Sequence, residues 1–257
     1  MKILFSVGKL VSNLSLSDQM SLAKEAGFDG IDYIATLKDI LIKPHKVIAM
    51  SKDFGLPIRG LHTPLPLVYF TPPFLYQRLF NMIANFPDCR IFNVHLSGII
   101  HPFQKKTKTV KKFITLFGKS GIDISFESNP NGYYFLKYYP KETYNPEQFA
   151  QYCVKHNLPM NFDTSHIASF DYDIVLFFKK YYKYINLIHL SDYASSVQHL
   201  PLGEGKLPLE KLFYEMKRVS YNKTLIFEIF KFRDNMSFLE KQLQLKKGIR
   251  FLKNIYE

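Results

Sequence analysis

A series of short apolar runs in this chain end on side chains that can bind a cation or move a proton. His62 ends IRGLH, His95 ends IFNVH, Glu127 ends DISFE and Asp163 ends MNFD. His189 stands near the end of INLIHL, Glu228 near the end of TLIFEI, and the second run, GIDYI, is expected to close near Asp32. Runs otherwise made of Ile, Val, Leu and Phe read as strands buried on both faces. An unpaired charge at such a place is costly to bury, and a bound cation would remove that cost. Imidazole and carboxylate ligands without thiolate suit Zn, Mn, Mg or Co rather than copper or an iron–sulfur cluster. Taken singly, each group has a plainer explanation. His62 in LHTPLP could be a hydrogen-bonded core histidine, and Asp32 could cap the helix that follows it. His45, His101 and His156 sit in helical or loop contexts and read as surface residues. Metal ligation explains the strand-end positions together.

The elements that must carry these groups alternate along the whole chain. Strands are expected at Ile3–Val7, Gly30–Ile34, Ile58–His62, Ile91–His95, Asp123–Glu127, Met160–Asp163, Ile185–Leu190 and Thr224–Ile229. Amphipathic helices lie between them. Ser17 can cap one that carries Met20, Ala23 and Ala26 and stops at Gly27. Pro146 can open another with Phe149, Tyr152 and Cys153, and Pro208 one with Leu209, Leu212, Phe213 and Met216. Eight strands each followed by a helix predict an α/β fold, a single (β/α)8 TIM barrel over residues 1–257. The length matches the roughly 250 residues of one such barrel, whose catalytic groups gather at the C-terminal ends of the strands. An open, doubly wound sheet is the alternative, but no GxGxxG or GxxxxGK[ST] follows any strand.

Composition bounds the rest. At 47% hydrophobic residues the chain can bury a real core. No apolar run reaches the roughly 18 residues of a membrane span, so no membrane partner is expected. The start, MKILFSVGKLVSNLS, reads as a first strand rather than a signal peptide. Cys89 and Cys153 form no CxxC pair, and two free thiols suit a cytoplasmic location. The net charge of +12 could serve nucleic acid or a phosphorylated substrate. The densest run, Lys105 to Lys119, carries Val110, Phe113, Ile114 and Phe117 at helical spacing, which suits a barrel helix with a solvated outer face.

Several motifs resemble those of the xylose-isomerase-like barrel superfamily. Gly27-Phe28-Asp29-Gly30-Ile31-Asp32 is similar to its GFDGVE at strand two, and Glu127-Ser128-Asn129 to its EN-type motif, with Ser128 interposed. Asp163-Thr164-Ser165-His166 resembles DT[SCG]H, and His189-Leu190-Ser191-Asp192 resembles HLxD. His199-Leu200-Pro201-Leu202-Gly203-Glu204-Gly205 is similar to HLPxGEG. The motifs follow in family order over nearly the whole chain.

The resemblance implies one of two functions. In the sugar and sugar-phosphate isomerases and epimerases, one divalent metal is held by residues matching Glu127, Asp163, His189 and Glu228. Glu127 and Glu228 would move a proton on the carbon beside the carbonyl through an enediolate, and His166 would contact a substrate oxygen. The partner would be a small-molecule sugar or sugar phosphate. The alternative is an abasic-site DNA endonuclease like endonuclease IV, with a cluster of two or three zinc ions. Its ligands match these residues plus His62, His95, His166 and His199, while a further Asp falls on Val197. DNA is a partner only under that alternative. The nuclease HxxYxxN pattern reads His62-Thr63-Pro64-Leu65-Pro66-Leu67-Val68 here, without Tyr or Asn. The loop Ile34-Ala35-Thr36-Leu37-Lys38 also lacks an Arg- and Gln-rich insertion, so the isomerase reading is preferred. The stretch from Tyr133-Tyr134-Phe135 to Tyr138-Tyr139 either walls the pocket or seals a subunit contact. The contact is slightly preferred, which would be compatible with a homo-oligomer; the stretch does not fix the oligomeric state.

Overall fold

Strands β1 (Ile3–Val7), β2 (Ile31–Ile34), β3 (Ile58–His62), β4 (Ile91–His95) and β5 (Asp123–Glu127) precede β6 (Met160–Asp163) and β7 (Ile185–Leu190). A short antiparallel pair, β8 (Asp192–Ala194) and β9 (Val197–Leu200), comes before the last barrel strand, β10 (Thr224–Phe227). The computed structural model describes residues 1–8, 14–42, 44–64, 73–99, 106–118, 120–131 and 145–256. The long strands pair in parallel and close on themselves in the order β1-β10-β7-β6-β5-β4-β3-β2. Between them run α1 (Leu16–Ala26), α2 (Leu37–Leu41), α3 (His45–Phe54), α4 (Tyr76–Ile83), α5 (Leu96–Ile99) and α6 (Lys106–Gly118). Then come α7 (Pro146–His156), α8 (Thr164–Ala168), α9 (Ile174–Tyr181), α10 (Leu209–Arg218) and α11 (Phe238–Tyr256). The expected barrel is therefore present. No described helix is long and apolar enough to cross a membrane.

Alternation along the strands sorts their residues into two layers. Phe5, Phe92, Phe126, Phe162, Ile188 and Phe227 face outward into the main core under the helices. There Phe113 and Phe117 of α6 lie 4.4 Å apart, and the Phe92 ring is 5.4 Å from Phe117. The lysine run thus behaves as expected. Val110, Phe113 and Phe117 are buried while Lys111 and Lys112 are exposed; Lys105 and Lys119 lie outside the described residues. Leu4, Ile91, Leu187 and Ile226 form a small separate cluster inside the barrel. Above it the interior turns polar: Ser6, Asp32, Asn93, Ser125 and Asn161 are all buried. Barrel interiors are ordinarily filled by layers of branched aliphatic side chains, so this middle layer is a departure that leads up to the site.

Local details differ from expectation in several places, among them the start of β2 at Ile31 rather than Gly30 and the end of β10 at Phe227 rather than Ile229. The cap of α1 is Ser15, not Ser17: its Oγ accepts the Asp18 N–H at 3.1 Å, two residues earlier than the apolar pattern suggested. The helix does stop at Gly27, which takes the left-handed conformation at φ 87°. Pro208 lies one residue before α10 rather than in its first turn. Asp32 does not close its strand and caps nothing. It faces the barrel interior, and α2 is capped by Thr36 with Asp39. The β8–β9 pair was not foreseen. His45 is exposed and His156 half-buried, as expected; His101 lies outside the described residues.

Candidate metal centre

The strand ends do converge. His62, His95, Glu127 and Asp163 are the last residues of β3, β4, β5 and β6. His189 is the last but one of β7, and Glu228 directly follows β10. Glu127, Asp163, His189 and Glu228 each bring one ligand atom within 4.8 Å of the others. The sets His62–His95–Glu127, His62–His189–Glu228 and Asp163–His166–His199 meet the same limit, and every member is buried. The distances show how tightly they gather. His189 Nδ1 lies 2.8 Å from Glu228 Oε2, 3.6 Å from Glu127 Oε1 and 3.8 Å from Asp163 Oδ2. His62 Nε2 and His95 Nε2 stand 3.4 and 3.5 Å from Glu127 Oε2, and His199 Nδ1 is 3.7 Å from Glu228 Oε2.

Each group is held by neighbours that leave a lone pair facing inward. His62 Nδ1 donates to the Thr63 carbonyl at 2.8 Å, and His95 Nδ1 to Asn129 Oδ1 at 2.6 Å. Asn129 is itself fixed by a 2.9 Å bond to Ser97 Oγ. With its proton on Nδ1, His95 turns a bare Nε2 toward Glu127, the arrangement usual for ligating histidines; burial works against charge on His62, but Glu127 and Glu228 raise that ring above its ordinary value. Asp163 divides its two oxygens. Oδ1 caps α8, accepting the His166 N–H at 2.8 Å and the Ser165 O–H at 2.9 Å, while Oδ2 has no hydrogen-bond partner among the described residues. Asn93 donates to Glu127 Oε2. Among the described residues Glu127 Oε1 has no such partner; His166 Nδ1, 3.0 Å away, also faces the Ser128 carbonyl at 2.9 Å.

Charge is badly balanced among these groups, and burial is the reason. Burial pushes the Asp163 carboxyl up to about 7, and the charges of Glu228 and Glu127 reinforce it. Burial also works against Glu127 and Glu228, yet the adjoining imidazoles hold both well below the carboxylate range. Burial lowers His95 to about 3 and His199 to about 4, leaving neutral imidazoles. Burial opposes charge on His166 and His189 too. Asp163 and Glu127 outweigh it at His166, raising that ring to about 9; Glu228 and Glu127 raise His189 well above its ordinary value. Three carboxylates in one dry place, two presenting unpartnered oxygens, fit a hard or borderline dication. The donor set, with no thiolate, fits too.

A second layer fixes the site. Thr164 Oγ1 donates to the Ser191 carbonyl at 2.7 Å and accepts its N–H at 3.0 Å, tying β6 to β7. Asp192 Oδ1 accepts the Tyr193 and Leu207 N–H groups at 2.8 and 3.0 Å, and Oδ2 the Gly203 N–H at 3.0 Å. A side chain at Gly205 would collide with that carboxylate. This clamp holds the loop that presents His199, whose φ of 56° is a left-handed conformation rare for a non-glycine residue and retained only where neighbours impose it. Phe230 supplies one, its ring 4.2 Å from that of His199.

The strand-end candidates other than Asp32 are thus brought together with His166 and His199; among the described residues Asp32 belongs to none of these ligand groups. Val197 is half-buried on β9 and offers no donor atom. Residues 65–68 and the tyrosine stretch 133–139 lie outside the described residues. Asn93 and Asn161 were missed by sequence reasoning, and the only signal for them was their place two residues from a candidate ligand; Asn129 and Ser165 stood in the quoted motifs without an assigned role.

Comparison with known proteins follows this geometry. Residues 20–255 match the family model described as a xylose isomerase-like TIM barrel. No curated protein is significantly similar in sequence. A D-tagatose 3-epimerase-like protein superposes with a TM-score of 0.68 at 19% identity, covering 99% of each chain. D-allulose 3-epimerase from Methylomonas sp., in complex with D-allulose, gives 0.71 at 14% identity over 99% of this chain and 98% of that one. The probable 3-DHS dehydratase AsbF from Bacillus anthracis gives 0.69 at 16%, over 98% and 99%. The match over nearly all its length shows that the chain belongs to the xylose isomerase-like TIM barrel family.

Proposed function

We propose that the protein is a divalent-metal-dependent sugar or sugar-phosphate isomerase or epimerase. The observation that carries this is the meeting of Glu127, Asp163, His189 and Glu228 within 4.8 Å, buried and with carboxylate oxygens unpartnered. These four would hold the ion. A bound dication would polarise the carbonyl and hydroxyl oxygens of an open-chain sugar and so acidify the adjacent C–H. The remaining work belongs to the side chains. A carboxylate of Glu127 or Glu228, kept ionised by the imidazoles, takes the proton from the carbon beside the carbonyl. The C–H electrons become the C=C bond of an enediolate, and the negative charge moves to the former carbonyl oxygen. The other carboxylate, or a water, returns a proton to the same carbon on the opposite face or to the neighbouring carbon. His166, whose ring lies between Glu127 and Asp163, would contact a substrate oxygen. The sugar epimerases among the structures of similar fold support this substrate class.

The test is incubation with ketoses, aldoses and their phosphates in deuterated water, with Zn, Mn, Mg or Co supplied in turn. Deuterium should enter the carbon beside the carbonyl. The histidine-rich sets around Glu127 and Asp163 favour one rival, an abasic-site endonuclease with two or three ions. Metal-dependent nicking of abasic duplex DNA, with no deuterium incorporation and more than one ion per chain, would replace the proposal with that rival.

A further inference from the structure

Asn93 has no part in the chemistry just described, yet it touches the centre directly. Alternation along β4 turns Ile91, Asn93 and His95 to one face, so Asn93 lies one step beneath His95 inside the barrel, fully buried. Its main chain is fixed as well: the Asn93 carbonyl accepts the Thr63 N–H at 3.0 Å and the Thr63 O–H at 2.9 Å. From there Nδ2 donates to Glu127 Oε2. The amide must stand this way round, since turned over it would set its own oxygen against the carboxylate. Oδ1 is the atom left over, buried and without a hydrogen-bond partner among the described residues. Leaving it so is costly, and the fold accepts that cost to make the contact with Glu127. The contact divides the two carboxylate oxygens. Oε2 faces Asn93, with His62 Nε2 and His95 Nε2 at 3.4 and 3.5 Å. Oε1 lies 3.6 Å from His189 Nδ1, which also stands 2.8 Å from Glu228 Oε2 and 3.8 Å from Asp163 Oδ2. Oε1 is therefore the oxygen turned to the place where the four ligands gather. The donor that holds its partner is neutral. A lysine or arginine there would cancel the charge a cation needs, whereas an amide fixes the carboxylate and leaves it negative.

We propose that Asn93 is a positioning residue of the centre: by holding Oε2 it fixes the Glu127 carboxylate with Oε1 alone facing the cation. This role rests on the reading of the centre as a cation site, and it is exerted through Glu127. A carboxylate held to one oxygen takes one coordination position instead of two, and so leaves room on an ion for substrate oxygens.

The test has two arms, neither of which measures turnover. In the first, crystals of the wild type are soaked with zinc. Glu127 should bind the ion through Oε1 alone, with Oε2 still at hydrogen-bond distance from Asn93 Nδ2. An ion held by Oε2, or by both oxygens, would overturn the proposal. In the second, zinc and cobalt affinities are measured by chelator competition for the wild type, Asn93→Leu and Asn93→Ala, beside the visible spectrum of the bound cobalt. Loss of the amide should weaken binding by about 10- to 100-fold, the usual effect of removing a ligand's outer partner. The cobalt spectrum should change as well, because a released carboxylate can close on the ion with both oxygens; a merely structural residue would leave that spectrum as it is. Affinity equal to wild type, or an unchanged spectrum, in a folded variant would overturn the proposal, and if neither variant folds the first arm decides. A wild type that binds no divalent ion would defeat the cation reading itself. The metal-free crystals then decide on the pairing: Asn93 Nδ2 at hydrogen-bond distance from Glu127 Oε2 upholds it, and a separation beyond about 3.5 Å refutes it.

Discussion

Asp163 shows how one residue serves both fold and site, with Oδ1 capping a helix and Oδ2 turned to the centre. Glu228 has a sharper role to test. Glu228→Gln is nearly isosteric, so the thermal midpoint should hold while activity falls by about 10² to 10⁴, the contribution of a positioned general base. The readout is deuterium incorporation beside the carbonyl at saturating metal. Equal exchange in variant and wild type would make Glu228 a ligand only and move the proton transfer to Glu127. Asn129 offers a test of stability rather than chemistry. Asn129→Leu leaves the buried His95 Nδ1–H without its 2.6 Å acceptor, which should cost about 1–3 kcal/mol in urea unfolding. No change in midpoint would mean that His95 finds another acceptor.

At the scale of elements, the loop between β8 and α10 depends on Asp192. Asp192→Ala removes the acceptor for three backbone N–H groups, and hydrogen bonds to a charged group contribute about 1.5–3 kcal/mol each. Amide exchange should then rise across residues 193–207 and leave the β1 amides protected. Uniform protection in the variant would show that the loop holds itself. A surface tie is more modest. Glu147 on α7 accepts Lys180 and Tyr181 of α9, each at 2.7 Å. Burial acts against its charge, but the Lys180 and Tyr181 hydrogen bonds hold the carboxyl below its ordinary value. A carboxyl depressed in the folded state stabilises above its unfolded pKa, and that stability is lost as pH falls through the folded one. Lys180 is exposed and its charge is screened by solvent, so the tie should contribute little. The stability gap between wild type and Glu147→Gln should therefore be present at neutral pH and close in acid. A gap that persists in acid would assign the effect to packing instead.

The whole molecule should respond to its ion by mass action. A dication present at 100 times its Kd should add about 2.7 kcal/mol to the folded state, if it binds only that state. For a chain of this size that is a rise of roughly 5–10 °C in Tm. The shift should appear with at least one of Zn, Mn, Mg or Co, and a chelator should reverse it. Absence of any shift with all of them would remove the cation from the proposed function.

Much of this architecture was legible before folding was considered. Strands covered on both faces must be apolar throughout, so runs such as IFNVH stand out from the helices, and most of their limits were read correctly. A histidine or carboxylate ending such a run was legible for the same reason, since it breaks an apolar pattern where the strand ends. What lay inside the barrel was not legible. With both faces of each strand buried, alternation marks two layers but does not say which one closure turns inward. Asp32 therefore read as a strand end or a cap, and Asn93, Asn161 and Ser125 read as nothing in particular. Nor does spacing show that His199, on a strained loop held by Asp192, reaches Glu228. The residue types and their order along the chain were determined by the sequence. Which of them share a dry interior, and so which charges must find a partner, was decided only when the barrel closed.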